Sequence, residues 1–231
     1  MDLLDARIQA LSGESPTIRE TLAATYTDAF LLFHDGALAV EWYAAPQGEW
    51  TPHPLHSITK SMVGCLAGIL MERGRLAPEA RAARYVPALA GGGYADVLVR
   101  DLLDMRTGGD YAEVHDDPAG ELSVMGEIVG WREATGQAFT QSLREYIAHA
   151  PRVAVSKGPF SYRSLDTEVL AWVIEEVAKT PLTELLAEWL LAPLGAEADG
   201  TMTVDEVGDP LASGGLSLIP RDVVRFGRML L

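Results

Sequence analysis

Ser57 and Lys60 lie three residues apart in Ser57-Ile58-Thr59-Lys60, at the head of the segment SITKSMVGCLAGILMER, residues 57–73. On a helix, side chains three apart share a face, so this spacing sets a hydroxyl beside an amine. A serine at a helix N-terminus also sits near unpaired N–H groups and the positive end of the helix dipole. Both favour an alkoxide and the oxyanion formed when it attacks a carbonyl. An amine held among apolar groups loses hydration and is freer to accept a proton. Together the two groups have the makings of nucleophilic acyl transfer. The bare Ser-x-x-Lys pattern is weak, because eleven serines and three lysines (Lys60, Lys157, Lys179) make it a common coincidence. Its placement is stronger, since a buried helix is where a lysine is least expected. The competing reading is structural: Ser57 is a helix N-cap and Lys60 snorkels to water from the first turn.

The segment that must position this pair is apolar or small nearly all round, apart from Lys60 and its polar ends. Such a pattern predicts a helix over 57–73 buried in the centre of a domain, with Gly74 as its stop. Gly64 and Gly68 are expected to let neighbouring elements pack closely. Upstream, residues 2–25 read as helical with Ser15-Pro16 as cap and first turn, and AFLLFHDGALAVEWYA reads as two strands around an Asp35-Gly36 turn. QGEWTPHPL reads as an irregular loop. Downstream, short helices are expected over 98–106, 141–149, 164–179 and 181–191, a short strand over Thr201 to Val204, and a last helix opened by Pro220. Residues 110–140 show no clear pattern and read as a long functional loop. Strands followed by helices suggest an α+β arrangement. Two strands are too few to bury the 57–73 helix, so the sheet looks incomplete.

Composition narrows the function. Hydrophobic residues make up 48% and charged residues 22%, as expected of a globular chain. The net charge of -15 argues against nucleic acid and against anionic lipid. A single cysteine, Cys65, excludes an internal disulfide and a multi-cysteine metal site. The longest apolar run, Met62 to Met71, falls well short of the roughly 18 residues of a membrane helix. MDLLDARIQA lacks the features of a signal peptide, so the expected location is cytoplasmic. His115, Asp116 and Asp117 lack ligand spacing and read as a solvated loop, and Gly91-Gly92-Gly93 lacks the context of a nucleotide site.

The segment HSITKSMVGCLAGILMERGRL resembles the first motif region of the class C β-lactamase-related serine hydrolases, and within them the 6-aminohexanoate-dimer hydrolases and related esterases. YVPAL, LLDMRTGGDY, PFSYRSLDTEVLAWVIEEV, LLAPLGAEAD and GGLSLIPRDVVRFGRMLL match in order, from about residue 28 to the end. The resemblance implies that Tyr162 is the tyrosine of the second motif, Tyr-x-Asn, which passes protons to the leaving group. Its plainer reading is a half-buried tyrosine at a helix start. Ser164 stands where the motif has asparagine, which puts substrate-amide recognition in doubt and weakens the case for a true β-lactamase. By the same analogy Tyr111 contacts the substrate amide and Trp131 lines the pocket, against plain readings as a loop aromatic and a buried loop anchor. His56 reads as a satisfied loop histidine and Asp166 as a first-turn carboxylate favoured by the helix dipole.

The family's third motif, Lys-Thr-Gly or His-x-Gly, follows the second on a strand beside the active site. Arg106-Thr107-Gly108 precedes Tyr162, and His34-Asp35-Gly36 is a hairpin turn, so neither qualifies. The expectation is a truncated relative whose oxyanion hole lacks one donor. The fold expected is therefore a β-lactamase/transpeptidase-like α+β domain over 1–231, with an antiparallel sheet packed with helices, a mainly helical lobe over about 80–200, and C-terminal strands missing. The function expected is hydrolysis of small amides or esters through an acyl-enzyme at Ser57, with no cofactor or metal. A β-lactamase or D-alanyl peptidase, and a non-catalytic binding module or inactive truncated relative, are the alternatives.

Overall fold

The computed structural model describes residues 2–9, 13–107, 113–114, 117–136, 138, 140, 142–150 and 157–231. The chain forms two compact units. One comprises Met1–His53, Leu194–Gly200 and Leu218–Leu231; the other comprises Pro54–Pro193 and Thr201–Ser217.

The first unit is built on a hairpin. Strand β1 (Ala29–His34) pairs antiparallel with β2 (Ala37–Tyr43), and His34 faces Ala37 across the turn. Asp35 and Gly36 both take positive φ, 48° and 79°, as a two-residue type I′ turn requires. Residues 2–25, expected as one helix, are split: a 3-10 turn covers Leu3–Asp5 and helix α1 covers Ile18–Ala24. Helix α1 starts after Thr17 rather than at Ser15-Pro16, because Thr17 and Glu20 cap each other. Glu20 N donates to Thr17 Oγ1 at 3.1 Å, and Thr17 N donates to Glu20 Oε2 at 2.8 Å. Leu4, Leu22 and Val40 form this unit's core, with Ile18, Phe30 and Trp42 packed on it. The last helix of the chain packs on β1 and opens at Pro220 as expected, running Pro220–Met229. Its Arg221 forks onto Glu41 of β2 at 2.6 and 2.8 Å.

The second unit is mainly helical. Helix α2 (Ile58–Glu72) ends at Gly74, φ +67°. Helix α3 (Val99–Leu103) is shorter than expected, because Met105 takes a left-handed φ of 50°. Helix α4 (Glu121–Ile128) occupies part of the stretch expected to be irregular. Helix α5 (Leu143–Ala148) is capped by Ser142, whose Oγ accepts from Glu145 N at 3.2 Å. Helix α6 (Ser164–Ala178) follows. The single helix expected over 181–191 is α7 (Leu182–Leu185), a π-helical stretch (Leu186–Leu191) and α8 (Ala192–Leu194). Strand β4 (Thr201–Met202) is shorter than expected and pairs antiparallel with β5 (Leu216–Leu218), a strand the hydrophobic pattern did not show. A third short strand, β3 (His53–Pro54), lies on the other edge of β5, within the segment expected to be a loop. Among the described residues no helix is long and apolar enough to cross a membrane.

The central helix of this unit is α6, not α2. Residues 164–171 of α6 are buried without interruption, and α2, α3, α4 and α5 all pack against it. Helix α2 buries one face, Thr59, Met62, Val63, Leu66, Ala67 and Leu70, against α6 and the π-helical stretch. Helices bury this face. The expectation for Gly64 and Gly68 fails. Both lie off the packed face, and a Cβ built at either meets nothing within 4 Å. Glycine in a helix interior costs about 0.5–1 kcal/mol relative to alanine, and here nothing offsets it. Gly68→Ala is expected to raise stability by about that amount, read as a higher urea midpoint; a lower midpoint would reveal a neighbour packed at this position.

Candidate active site

The backbone before α2 is folded so that Ser57 is not needed as a cap. Leu55 N donates to Leu216 O of β5 at 2.8 Å, pinning the approach. His56 then takes a φ of +45°, a conformation uncommon outside glycine that is often found at functional sites. Ile58 N and Thr59 N donate to Leu55 O and His56 O at 3.1 and 3.0 Å. Two first-turn donors are thus met by backbone, and the Ser57 side chain makes no capping bond.

Its hydroxyl meets Lys60 instead. Lys60 Nζ donates to Ser57 Oγ at 3.0 Å and to the Ser213 carbonyl at 2.7 Å. The reading of Lys60 as a snorkelling side chain therefore fails. Two of its three donors are committed to protein acceptors. The Tyr162 ring lies with its centroid 5.2 Å from Lys60 Nζ, and the residue is 39% exposed. The segment before it is tied to the end of α3. Ser161 N donates to Met105 O at 2.9 Å, Gly158 N to Arg106 O at 3.1 Å, and Arg106 Nε to Gly158 O at 2.8 Å.

A cleft of about 440 Å³ opens over Ser57 and Lys60, walled by His56, Trp131, Glu113, Ser164 and the Ser213-Gly214 turn. Trp131 is no buried anchor. It is 46% exposed, and its ring meets His56 edge to face at 5.8 Å. Ser164 opens α6, and its donors turn to Glu113: Ser164 N is 2.7 Å from Glu113 Oε2, and Ser164 Oγ is 3.1 Å from Oε1. An acid at a helix N-terminus is favoured by the dipole, so this carboxylate has a structural reason to stay. Tyr111, His115 and Asp116 lie outside the described residues, and among the described residues no cluster of acids, histidines or cysteines could hold a metal ion.

Behind the cleft, the first two turns of α6 carry buried carboxylates. Asp166 lies in the first turn of α6 as expected, and it is wholly buried. It accepts from Tyr94 Oη at 3.0 Å and Thr107 Oγ1 at 3.1 Å, tying the chain on both sides of α3 to α6. Burial pushes its carboxyl up to about 7, against the pull of Arg163 and the two hydroxyls. Arg163 itself is forked onto Glu121 of α4, with its Nε 2.9 Å from Glu121 Oε2. One turn on, Glu168 accepts from Ala212 N at 2.9 Å and Ser213 N at 2.7 Å. Burial raises its carboxyl to about 7 as well, opposed by those donors and by Lys60. Glu113, Glu168 and Ser213 were not singled out as site residues from sequence. The one signal for Glu168 was a charge inside the apolar run LDTEVLAWVI.

Residues 16–231 match the Beta-lactamase family model. The chain belongs to the beta-lactamase family. Within that family it is 36% identical, over 97% of its length, to the 6-aminohexanoate-dimer hydrolase of Paenarthrobacter ureafaciens. Its fold overlays, with a TM-score of 0.90 and 27% identity over the whole chain, on a Bacillus anthracis protein provisionally assigned as a 6-aminohexanoate-dimer hydrolase. A penicillin-binding protein from Bacillus halodurans shares the fold at 14% identity, over 91% of this chain and 73% of its own, with a TM-score of 0.70. The β-lactamase/transpeptidase-like fold and the kinship with dimer hydrolases expected from the motifs are therefore found. The chain spans 57% and 60% of the lengths of the Paenarthrobacter and Bacillus anthracis proteins.

A buried acid whose carboxyl is raised in the fold stabilises it most when protonated, below its ordinary value of 3.8, and loses that contribution as pH rises toward about 7. Asp166→Asn removes the titration. Its stability relative to the parent is expected to climb between about pH 4 and 7 by up to about 4 kcal/mol, measured by urea unfolding. Parallel pH curves for the two proteins would contradict the burial of an ionisable acid here.

Proposed function

We propose that the protein is a serine hydrolase that cleaves small amides or esters through an acyl-enzyme at Ser57. The observation that carries the reading is the 3.0 Å contact between Ser57 Oγ and Lys60 Nζ in an open cleft, with Lys60 also held by the Ser213 carbonyl at 2.7 Å. In this reaction the Lys60 amine serves as base and takes the Ser57 proton as Oγ attacks the substrate carbonyl. The C–O bond to serine forms as the carbonyl π bond opens. Collapse of the tetrahedral species breaks the bond to the leaving amine or alcohol, which receives a proton through Tyr162. Water then enters, gives up a proton along the same groups, and releases the acid. Ser57 stands at the N-terminus of α2, whose dipole favours the negative charge that develops on attack.

The substrate class we favour is a short amide of an ω-amino acid, in line with the named activity of the Paenarthrobacter relative. Two features count against the β-lactamase alternative. Position 164 is serine rather than asparagine, and both its donors are already engaged by Glu113. Trp131 and His56 form an aromatic wall beside the nucleophile, suited to an apolar methylene chain.

A fluorophosphonate probe is expected to label the purified protein at one serine. Ser57→Ala is expected to abolish the adduct, and Lys60→Ala to slow its formation by about 100–10,000-fold. Undiminished labelling of the Ser57→Ala protein, read by mass spectrometry, would refute the proposal; so would a parent protein that stays unlabelled while folded.

A further inference from the structure

A lysine that must act as base needs its amine held at the serine hydroxyl. In this site the aiming group is a backbone carbonyl, Ser213 O, at 2.7 Å. A carbonyl on a turn is only as fixed as the turn. This one is tight: Gly214 N and Gly215 N both donate to Leu211 O, at 3.3 and 2.7 Å. It has no room to shift on one side, since a Cβ at Gly215 would stand 2.8 Å from Leu211 O and 3.1 Å from Thr203 Cβ. On the other side it hangs on one side chain. Glu168, only 3% exposed, accepts from the two consecutive amides Ala212 N and Ser213 N at 2.9 and 2.7 Å.

We propose that Glu168 is a positioning residue for the Ser57–Lys60 pair, holding the Ser213 carbonyl against the Lys60 amine from behind the cleft. Its two oxygens fix the turn through two amides, so that the Ser213 carbonyl presents its oxygen to Nζ. Two donors aimed at one buried side chain call for a group with two acceptor oxygens. A glutamine of the same shape offers one acceptor where two amides must be met, and brings an amide donor into a place lined by donors. Glu168 touches neither substrate nor Ser57, so its effect passes through Ser213 and Lys60.

This inference rests on the serine-hydrolase reading for its kinetic arm and is independent of it for its structural arm. In the kinetic arm, Glu168→Gln is assayed with a chromogenic short-chain ester. We expect kcat to fall about 100-fold, the scale of an ångström-sized misplacement of a catalytic group, with KM within about 2-fold. Glu168→Asp, which keeps the charge on a shorter stem, is expected to recover part of the loss. In the structural arm, hydrogen exchange of the Ala212 and Ser213 amides and the Lys60 side-chain NMR signals are compared in the folded parent and Glu168→Gln proteins. Faster exchange at both amides and a displaced Lys60 signal are expected whether or not the ester turns over. Unchanged amides and an unchanged Lys60 signal would overturn the inference even in a protein with no measurable esterase activity. Equal kcat in a labelled, active pair would overturn it while leaving the hydrolase reading intact.

Discussion

An amine inside a cleft keeps one geometry only if its donors are met by fixed acceptors, and the site is organised around that requirement at Lys60. One acceptor is Ser57 Oγ, one turn back on the same helix; the other is Ser213 O, 153 residues further along the chain. The first is guaranteed by helix geometry once α2 forms. The second has to be brought in by the fold. Much of the second unit serves this end: α6 at its centre, the turn at 211–215, and the short strands that bracket that turn.

Helix α6 carries this burden through charge as well as packing. Its first turns hold Asp166 and Glu168 away from water, and each is satisfied by groups from distant segments: Tyr94 and Thr107 for one, Ala212 and Ser213 for the other. Just before it, Arg163 reaches Glu121 of α4, and Ser164 reaches Glu113. Buried charges of this kind are weak contributors to net stability, but removing one partner leaves the other stranded at a cost of several kcal/mol. They act as registry pins. Separate segments are each fixed to one end of one helix, which is how distant stretches of chain hold a nucleophile, an amine and a carbonyl in line.

The local chemistry was legible in the sequence because it is local. The Ser57–Lys60 contact follows from a spacing of three on a helix, the hairpin from Asp35-Gly36, and the last helix from Pro220. What could not be read is what depends on long-range contacts. Ser213 contributes a carbonyl, which no residue type announces. Glu168 looks like any charge on an amphipathic helix until the helix proves to be buried nearly all round. The first-turn place of Asp166 is legible in the sequence, but its burial is not, because distant segments remove the water around it. The apolar character of 57–73 was read as central burial, yet its small residues Gly64 and Gly68 lie off the packed face, and α6 is the enclosed helix instead. Helix α4 escaped notice because masking polar and glycine residues flank its short apolar run.

The central claim is that Lys60 is held between Ser57 and Ser213. An X-ray structure of the protein at better than about 1.5 Å tests it directly. Lys60 Nζ is expected within about 3.2 Å of both Ser57 Oγ and the Ser213 carbonyl oxygen, the range of a real hydrogen bond. An amine swung toward solvent, with ordered water on both acceptors in its place, would contradict it.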